Sequence, residues 1–288
     1  MFKNRQAKDK AAHAAETQIP DALGSVLTES ERMLEQRLRE AVAGGKFDLR
    51  YQPIFSVTDG KMVAVEALLR WESEAGRMSP ATFLPVLEAT GLVNDVGPWV
   101  LAQACREARP WVAAHPELLL TVNVSPQQLE AGFADWVLGT LAEMSFWPEQ
   151  LCLELLQTTS IVDPTVAWTE LRRLKSAGVH LFLDDFGSLG SSIADLRRFT
   201  VDAVKIDPGF VSGLGRSDDD EAVVTAVIAL AHALGMQTVA EGVETALQLG
   251  RLQALGCDLA QGFHLMEPVR AAEVTAALAA AEAQPLSA

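Results

Sequence analysis

Short apolar runs recur along the chain, and segments with helical periodicity separate most of them. Helices are predicted near residues 97–113, 131–143, 164–177, 191–199, 219–235 and 245–255. The apolar runs are "FDLRYQPIF", "MVAVEALLR", "LLLTVNVS", "LCLEL", "VHLFLDD", "DAVKID", "MQTVAEG" and "DLAQG". Eight strand-like runs with helices between them predict an α/β fold, a closed barrel of strands with the helices outside.

The first two runs depart from this alternation. Only "SVTDGK" joins them, and its Asp59-Gly60 pair is a hairpin signal. A parallel crossover needs a dozen or more residues, so the two strands are predicted to pair antiparallel.

The N-terminal part of the chain has a different pattern. Residues 1–30 contain the breakers Pro20 and Gly24 and little apolar periodicity, which predicts a tail or linker before a domain of residues 31–288. The stretch "TESERMLEQRLREAVAGG" then predicts a helix with Thr28 or Ser30 as its N-cap and Gly44 at its end.

Composition and charge narrow the possible functions. The 288 residues include 38 acidic and 23 basic side chains, a net charge of −15, which disfavours binding to duplex nucleic acid or to an anionic bilayer. The three cysteines lack the spacing of a disulfide framework or a zinc site. The polar start of the chain is unlike a secretory signal, and no apolar stretch is long enough for membrane insertion. We therefore expect a cytoplasmic protein.

Polar residues end most of the apolar runs, and the carboxyl ends of barrel strands meet at one rim. Each residue alone is more often structural than functional, but together they predict a shared site. They are Asn123, Glu154, Asp184, Lys205, Glu241 and Gln261, with Glu66 inside the second run. The carboxylate and amide oxygens in this set suit Mg²⁺ or Mn²⁺ better than zinc.

Two adjacent carboxylates, Asp184 and Asp185, end the fifth run. Neighbouring strand residues point to opposite faces, so Asp184 is predicted to face inward and Asp185 to act from the turn beyond. Two ions about 3.5–4 Å apart, each using a different carboxylate, would suit an in-line phosphoryl displacement. The sequence therefore predicts a site with two metal ions.

These residues lie in a series of motifs that resembles the EAL-domain family of cyclic di-GMP phosphodiesterases. The series runs in family order over roughly residues 32–272. Its motifs are "YQP" (51–53), "EALLRW" (66–71), "SPATFLPVLEATGL" (79–92), "VNVSP" (122–126), "LEL" (153–155), "DDFG" (184–187), "DAVKID" (202–207), "AEGVET" (240–245) and "GCDLAQGF" (256–263).

The resemblance implies a modified TIM (β/α)8 barrel with one antiparallel strand, and hydrolysis of cyclic di-GMP to linear pGpG with Mg²⁺ or Mn²⁺. It also implies a homodimer. Metal ligands would be Glu66, Asn123, Glu154 and Asp184 for the first ion and Asp185 for the second. Lys205 and Glu241 would be catalytic groups around the attacking water, and either could take its proton. Substrate-binding residues would be Gln52, Arg70, Gln261 and Asp207.

Two departures from the family pattern leave an alternative open. Leu156 and Gln157 stand where the family has Thr and Glu, and Leu189 and Gly190 stand where it has Gly and Tyr. A lost carboxylate and a changed loop would also suit a receptor that binds cyclic di-GMP without hydrolysing it.

Overall fold

The computed structural model describes residues 28–73, 76–155, 161, 163–186 and 200–283, without the side chains of residues 185, 282 and 283. The four residues that depart from the family pattern and the predicted helix over 191–199 lie outside these ranges. The described elements are α1 (Glu29–Ala43), β1 (Phe47–Ser56), β2 (Met62–Ser73), β3 (Gly76–Met78), α2 (Pro80–Ala89), α3 (Val93–Ala114), β4 (Leu119–Val124), α4 (Phe133–Met144), β5 (Leu151–Leu155), α5 (Pro164–Ser176), β6 (His180–Phe186), β7 (Ala203–Ile206), α6 (Pro208–Gly213), α7 (Asp218–Ala233), β8 (Gln237–Ala240), α8 (Ala246–Leu255), β9 (Leu259–Ala260) and α9 (Ala271–Ala283).

Eight strands close into a barrel, in the order β1, β2, β4, β5, β6, β7, β8 and β9. Strand β1 pairs antiparallel with both β2 and β9, and the other neighbours in the barrel are parallel. The predicted α/β barrel with one antiparallel strand is therefore confirmed.

The turn between β1 and β2 contains Gly60 at φ +68°, a conformation that glycine adopts without a steric cost.

The sequence allowed Thr28 or Ser30 as the N-cap of helix α1, and in the structure the N-cap is Thr28. Its hydroxyl accepts a hydrogen bond from the Glu31 amide at 3.3 Å, and the Glu31 carboxylate accepts one from the Thr28 amide at 2.7 Å. This reciprocal capping box satisfies amides that have no partner inside the helix. The helix packs its apolar side on α2 and on the outer face of β2.

The inner face of the barrel is layered, and this layering places the polar residues. An apolar layer fills the barrel with Ile54, Ala64, Cys152, Phe182, Ala203, Val239 and Leu259. Side chains two residues apart on a strand share a face, so the next inward residue toward the mouth lies directly beyond this layer. On seven strands that next inward residue is polar.

Apolar side chains fill the outer shell between the sheet and the helices. Within the described part of the chain, no helix has both the length and the apolar character needed to cross a bilayer.

Candidate active site

The barrel mouth carries a layer of polar side chains, one from each strand or from the residue just after it. Seven of them lie two positions from a residue of the apolar layer, and Asn123 lies two positions from the buried Thr121. The layer consists of Gln52, Glu66, Asn123, Glu154, Asp184, Lys205, Glu241 and Gln261. The structure thus brings together eight of the eleven side chains predicted for the site.

Lys205 lies at the centre of this layer and is 1% exposed. Its Nζ is 2.5 Å from Glu154 Oε2 and 2.6 Å from Glu241 Oε1. Glu66 Oε2 is 3.3 Å and Asp184 Oδ1 is 3.8 Å from the same nitrogen. Four carboxylates, three on strands and one directly after β8, therefore converge on one ammonium group.

Amide side chains hold Glu66 in place. Asn123 Nδ2 donates to Glu66 Oε1 at 2.7 Å, and Gln261 Nε2 donates to Glu66 Oε2 at 2.8 Å. Gln261 Nε2 is also 3.2 Å from Gln52 Oε1, and Gln52 Nε2 donates to the carbonyl of Met266 at 3.2 Å. Both oxygens of Glu66 thus accept hydrogen bonds, which fixes the orientation of its carboxylate.

Burial and the neighbouring charges give the carboxyl groups of the layer different pKa values. Burial raises the pKa of Glu66, but Lys205, Gln261 and Asn123 outweigh burial, and the pKa lies below its usual value. Burial and the negative charge of Glu66 raise the pKa of Glu154 well above its usual value. The pKa of Glu241 rises to about 8, mainly through burial. A carboxyl group with a pKa near neutrality suits proton transfer.

The Lys205 ammonium has its own pKa raised. Burial opposes its positive charge, but the carboxylates of Glu154, Glu241, Glu66 and Asp184 outweigh burial and hold the pKa well above its usual value. Lys205 is therefore a permanent cation in this geometry.

The donor set fits a divalent cation. Four carboxyl groups face a single ammonium, so the layer can supply more negative charge to a bound cation than Lys205 balances. Glu154 Oε1 and Gln261 Oε1 are buried without a hydrogen-bond partner in the described part of the chain. Oxygen donors of this kind are the ligands that Mg²⁺ and Mn²⁺ prefer. In the described residues the carboxylates are arranged around Lys205, and they do not form a ready cluster of three acidic ligands.

Two cavities open beside the polar layer, and Glu66 and Leu68 line both. The larger cavity, about 450 Å³, is mainly apolar and includes Arg70 and Asp184 in its wall. The smaller cavity, about 280 Å³, is lined by Gln52, Glu241, Gln261 and Phe263, among others.

Two predicted residues lie outside the central layer. Arg70 is half-buried in the wall of the larger cavity. Asp207 caps α6, with Oδ1 accepting from the Gly209 amide at 2.6 Å, and it lines neither cavity. The side chain of Asp185 is outside the described part, so its predicted metal contact stays a prediction.

Sequence reasoning missed the apolar residues of the cavity walls, among them Leu68 and Phe263. Leu68 lies two positions after Glu66 on the same face of β2, and Phe263 follows Gln261 by two residues and is 61% exposed. The signal in the sequence was an aromatic residue at the end of the "GCDLAQGF" motif, two positions after Gln261.

Comparison with known proteins agrees with the geometry. A sequence model described as the EAL domain matches residues 35–268, and the chain belongs to this family. It is 40% identical over 245 residues to the bifunctional diguanylate cyclase/cyclic di-GMP phosphodiesterase MucR of Pseudomonas aeruginosa. That match covers 84% of this chain and 36% of MucR, so the chain spans about a third of this relative.

Solved structures show the same fold. The structure of PaMucR phosphodiesterase in a c-di-GMP complex has a TM-score of 0.79 and 40% identity, and the match covers 84% of this chain and 99% of that one. The FimX EAL domain of Xanthomonas citri in complex with c-diGMP has a TM-score of 0.71 and 26% identity, and the match covers 82% of this chain and 92% of that one. The predicted family and barrel are confirmed.

Proposed function

We propose that this chain hydrolyses cyclic di-GMP to the linear dinucleotide pGpG with the help of divalent cations. The observation that carries the proposal is the convergence of four carboxylates and Lys205 at one mouth of an EAL-type barrel. The similarity to MucR, which is named as a cyclic di-GMP phosphodiesterase, supports the choice of substrate.

The metal ligands are proposed from the donors of the polar layer. Glu66, Asn123, Glu154 and Asp184 would hold one Mg²⁺ or Mn²⁺ ion, and Asp185 would contribute to a second. Bound divalent cations lower the pKa of water and neutralise the charge of a phosphodiester.

Two side chains of the polar layer have proposed roles in proton transfer and in balancing charge. Glu241 in its ionised form accepts the proton of the attacking water, because its carboxylate lies at the mouth and burial raises its pKa, which makes it a stronger base than an ordinary carboxylate. Lys205 balances the charge of the carboxylates around it and holds Glu154 and Glu241 in place. The water oxygen forms a bond to phosphorus, the bond from phosphorus to the 3′ oxygen of the neighbouring sugar breaks, and that oxygen takes up a proton from solvent to become a hydroxyl group.

Substrate binding uses the walls of the two cavities. Arg70 donates two hydrogen bonds to a phosphate, because its planar guanidinium matches two phosphate oxygens. The exposed ring of Phe263 offers a flat face on which a guanine can stack. Gln52 and Gln261 are proposed to meet the substrate where they close the smaller cavity, and Asp207 is proposed to contact it from outside the two cavities, at the rim of the barrel mouth.

The homodimer and the cytoplasmic location expected from the sequence belong to the same proposal. Sedimentation of the purified chain with and without cyclic di-GMP tests the dimer.

One assay tests the activity. Purified protein is incubated with cyclic di-GMP and Mg²⁺ or Mn²⁺, and linear pGpG is followed by chromatography. We expect metal-dependent product from the wild type and a loss of at least about a hundredfold in kcat for Glu66→Ala. Glu170→Gln is the matched control, because Glu170 is a buried carboxylate on α5, away from the mouth.

Tight binding of cyclic di-GMP without metal-dependent product would contradict the enzyme proposal. That outcome would identify the chain as a receptor.

A further inference from the structure

Strand β1 carries a buried arginine close to the proposed phosphate-binding arginine. Arg50 lies two residues from Gln52 on the inward face of β1 and is 6% exposed. In the β1–β2 pairing, Arg50 lies opposite Leu68 and Asp48 lies opposite Arg70. Asp48, Arg50 and Arg70 therefore share the face that leads from Glu66 outward along the cavity wall.

Both oxygens of Asp48 are engaged on its own strand. Oδ1 accepts a hydrogen bond from the Leu49 amide at 2.9 Å, and Oδ2 pairs with Nη1 of Arg50. The same Nη1 is 2.9 Å from the carbonyl of Leu49. Asp48 is therefore held by β1 and does not reach across to β2.

Arg70 lies directly opposite Asp48 but does not pair with it. Its Nη1 donates to the Leu69 carbonyl at 2.9 Å. Within the described residues, no carboxylate lies within ion-pair distance of Arg70. Directly opposed residues of an antiparallel pair have Cβ atoms about 4.5–5.5 Å apart, so Asp48 is placed to become a partner of Arg70.

A pair between Asp48 and Arg70 would compete with a phosphate. A carboxylate and a phosphate both take two parallel hydrogen bonds from the same edge of a guanidinium group. Burial and the neighbouring charges of Arg50 and Arg77 lower the pKa of Arg70, and the charge of Glu66 opposes them. The guanidinium of Arg70 is therefore a partly desolvated cation without an ion-pair partner in the described residues, a group that favours an incoming anion.

We infer that Arg50 is a positioning residue that holds Asp48 on β1 and so leaves Arg70 to bind a phosphate group of the substrate. This inference rests on the proposed function, in which Arg70 meets a phosphate. It gives a function to a buried arginine that the central polar layer does not use.

Steady-state kinetics with cyclic di-GMP test this role. Arg50→Gln frees Asp48 to pair with Arg70, and we expect KM to rise about tenfold with kcat changed by less than about twofold. Adding Asp48→Asn in the double variant removes the competing carboxylate and is expected to restore KM. Arg50→Lys keeps a cation beside Asp48 and is expected to retain most of the affinity.

The control removes an ion-paired arginine elsewhere. Arg173→Gln breaks the surface pair with Asp135, and KM is expected to stay unchanged. An Arg50→Gln variant with unchanged KM would overturn the inference. So would a double variant as weak as Arg50→Gln, because Arg50 would then act directly or through the fold. Asp48→Asn alone leaves Arg50 intact, and a rise in its KM would also overturn the inference.

Crystal structures separate this inference from the proposed function. If the wild type makes no pGpG, the proposed function fails, but the position of Asp48 can still be measured. A contact within 4 Å between Asp48 and Arg70 in Arg50→Gln, absent from the wild type, supports the inference. Its absence from the variant refutes the inference.

Discussion

Lys205 shows how one residue can make a crowded acidic site compatible with folding. Four carboxylates that share a small volume repel one another and resist burial. The Lys205 ammonium lies within 4 Å of all four and is itself buried. We infer that this residue stabilises the layer before any cation binds, and that it keeps Glu154 within reach of the mouth although Glu154 is fully buried.

Asp202, at the opposite end of the barrel, makes the stability of the fold depend on pH. It lies 2.5 Å from Lys175 Nζ and accepts from the Leu181 amide at 2.8 Å. Burial raises its pKa, but contacts with His180, Lys175 and Leu181 outweigh burial and lower the pKa to about 2. A carboxyl group with a lowered pKa stabilises the fold above its unfolded-state pKa, near 3.8, and loses that contribution as the pH falls toward 2.

We therefore expect Asp202→Asn to lower the free energy of unfolding by about 1–2 kcal/mol at neutral pH. The difference from the wild type should shrink below about pH 4, because the wild-type carboxylate is then being protonated. Urea unfolding at several pH values measures both effects. Glu117→Gln, at an exposed carboxylate in the loop before β4, is the control. A difference that stays constant down to pH 2 would contradict the assigned cause.

The sequence indicated which residues meet at the mouth, and strand periodicity explains why. Glu154 and Asp184 each lie at an inward position near the carboxyl end of an apolar run, Glu66 lies at an inward position inside one, and these features are local. Their convergence on Lys205 depends on the register of each strand relative to its neighbours in the closed barrel, and a local sequence pattern does not determine that register. The distant partners of Gln261 could not be predicted from the sequence for the same reason.

At the scale of secondary-structure elements, the loops after β8 and β9 are packed against each other. The Val243 amide donates to the carbonyl of Gln261 at 3.0 Å, and the His264 amide donates to the carbonyl of Val243 at 2.9 Å. Gly262 lies between these bonds, and a Cβ atom there would come within 2.2 Å of the backbone of Val243. This close approach holds Glu241 and Gln261 beside each other at the mouth.

Gly262→Ala is expected to destabilise the protein by about 2–3 kcal/mol, because a methyl group must push two backbone segments apart. Displacement of Gln261 should also raise KM for cyclic di-GMP. Urea unfolding and steady-state kinetics measure the two effects. Gly250→Ala in α8 is the matched control, because the space around its Cβ is open and alanine favours a helix. If Gly262→Ala has the same free energy of unfolding and the same KM as the wild type, the close approach of the two loops contributes to neither stability nor substrate binding.

Most helix and strand positions followed from periodicity and caps, and α5 and α8 match their predicted ranges within a residue at each end. Several elements were not predicted. Strand β3 is three residues long and depends on its pairing with β2, so it has no periodicity of its own. Helix α2 contains Pro85, a residue that disfavours a helix interior, and its existence depends on packing against α1 and β2.

The whole molecule carries its negative charge both on the surface and in the barrel mouth. The net charge of −15 attracts cations without specificity, and this attraction is screened by salt. The polar layer differs because it is buried, and its four carboxyl groups can supply more negative charge than Lys205 balances once a cation favours their ionised forms. A divalent cation that binds there would stabilise the folded chain, since the unfolded chain has no such arrangement.

We therefore expect Mn²⁺ at a saturating concentration to raise the thermal midpoint of the wild type by about 5 °C relative to EDTA, measured in 150 mM salt to screen surface binding. Glu154→Gln should lose most of this rise, because it removes a carboxylate whose Oε1 is buried without a partner in the described chain. Glu170→Gln should keep the rise, although its own midpoint falls, because Glu170 binds the Ala134 amide at 2.8 Å, away from the mouth. An equal rise in Glu154→Gln and the wild type would assign the cation to the surface and remove the physical basis of the proposed metal site.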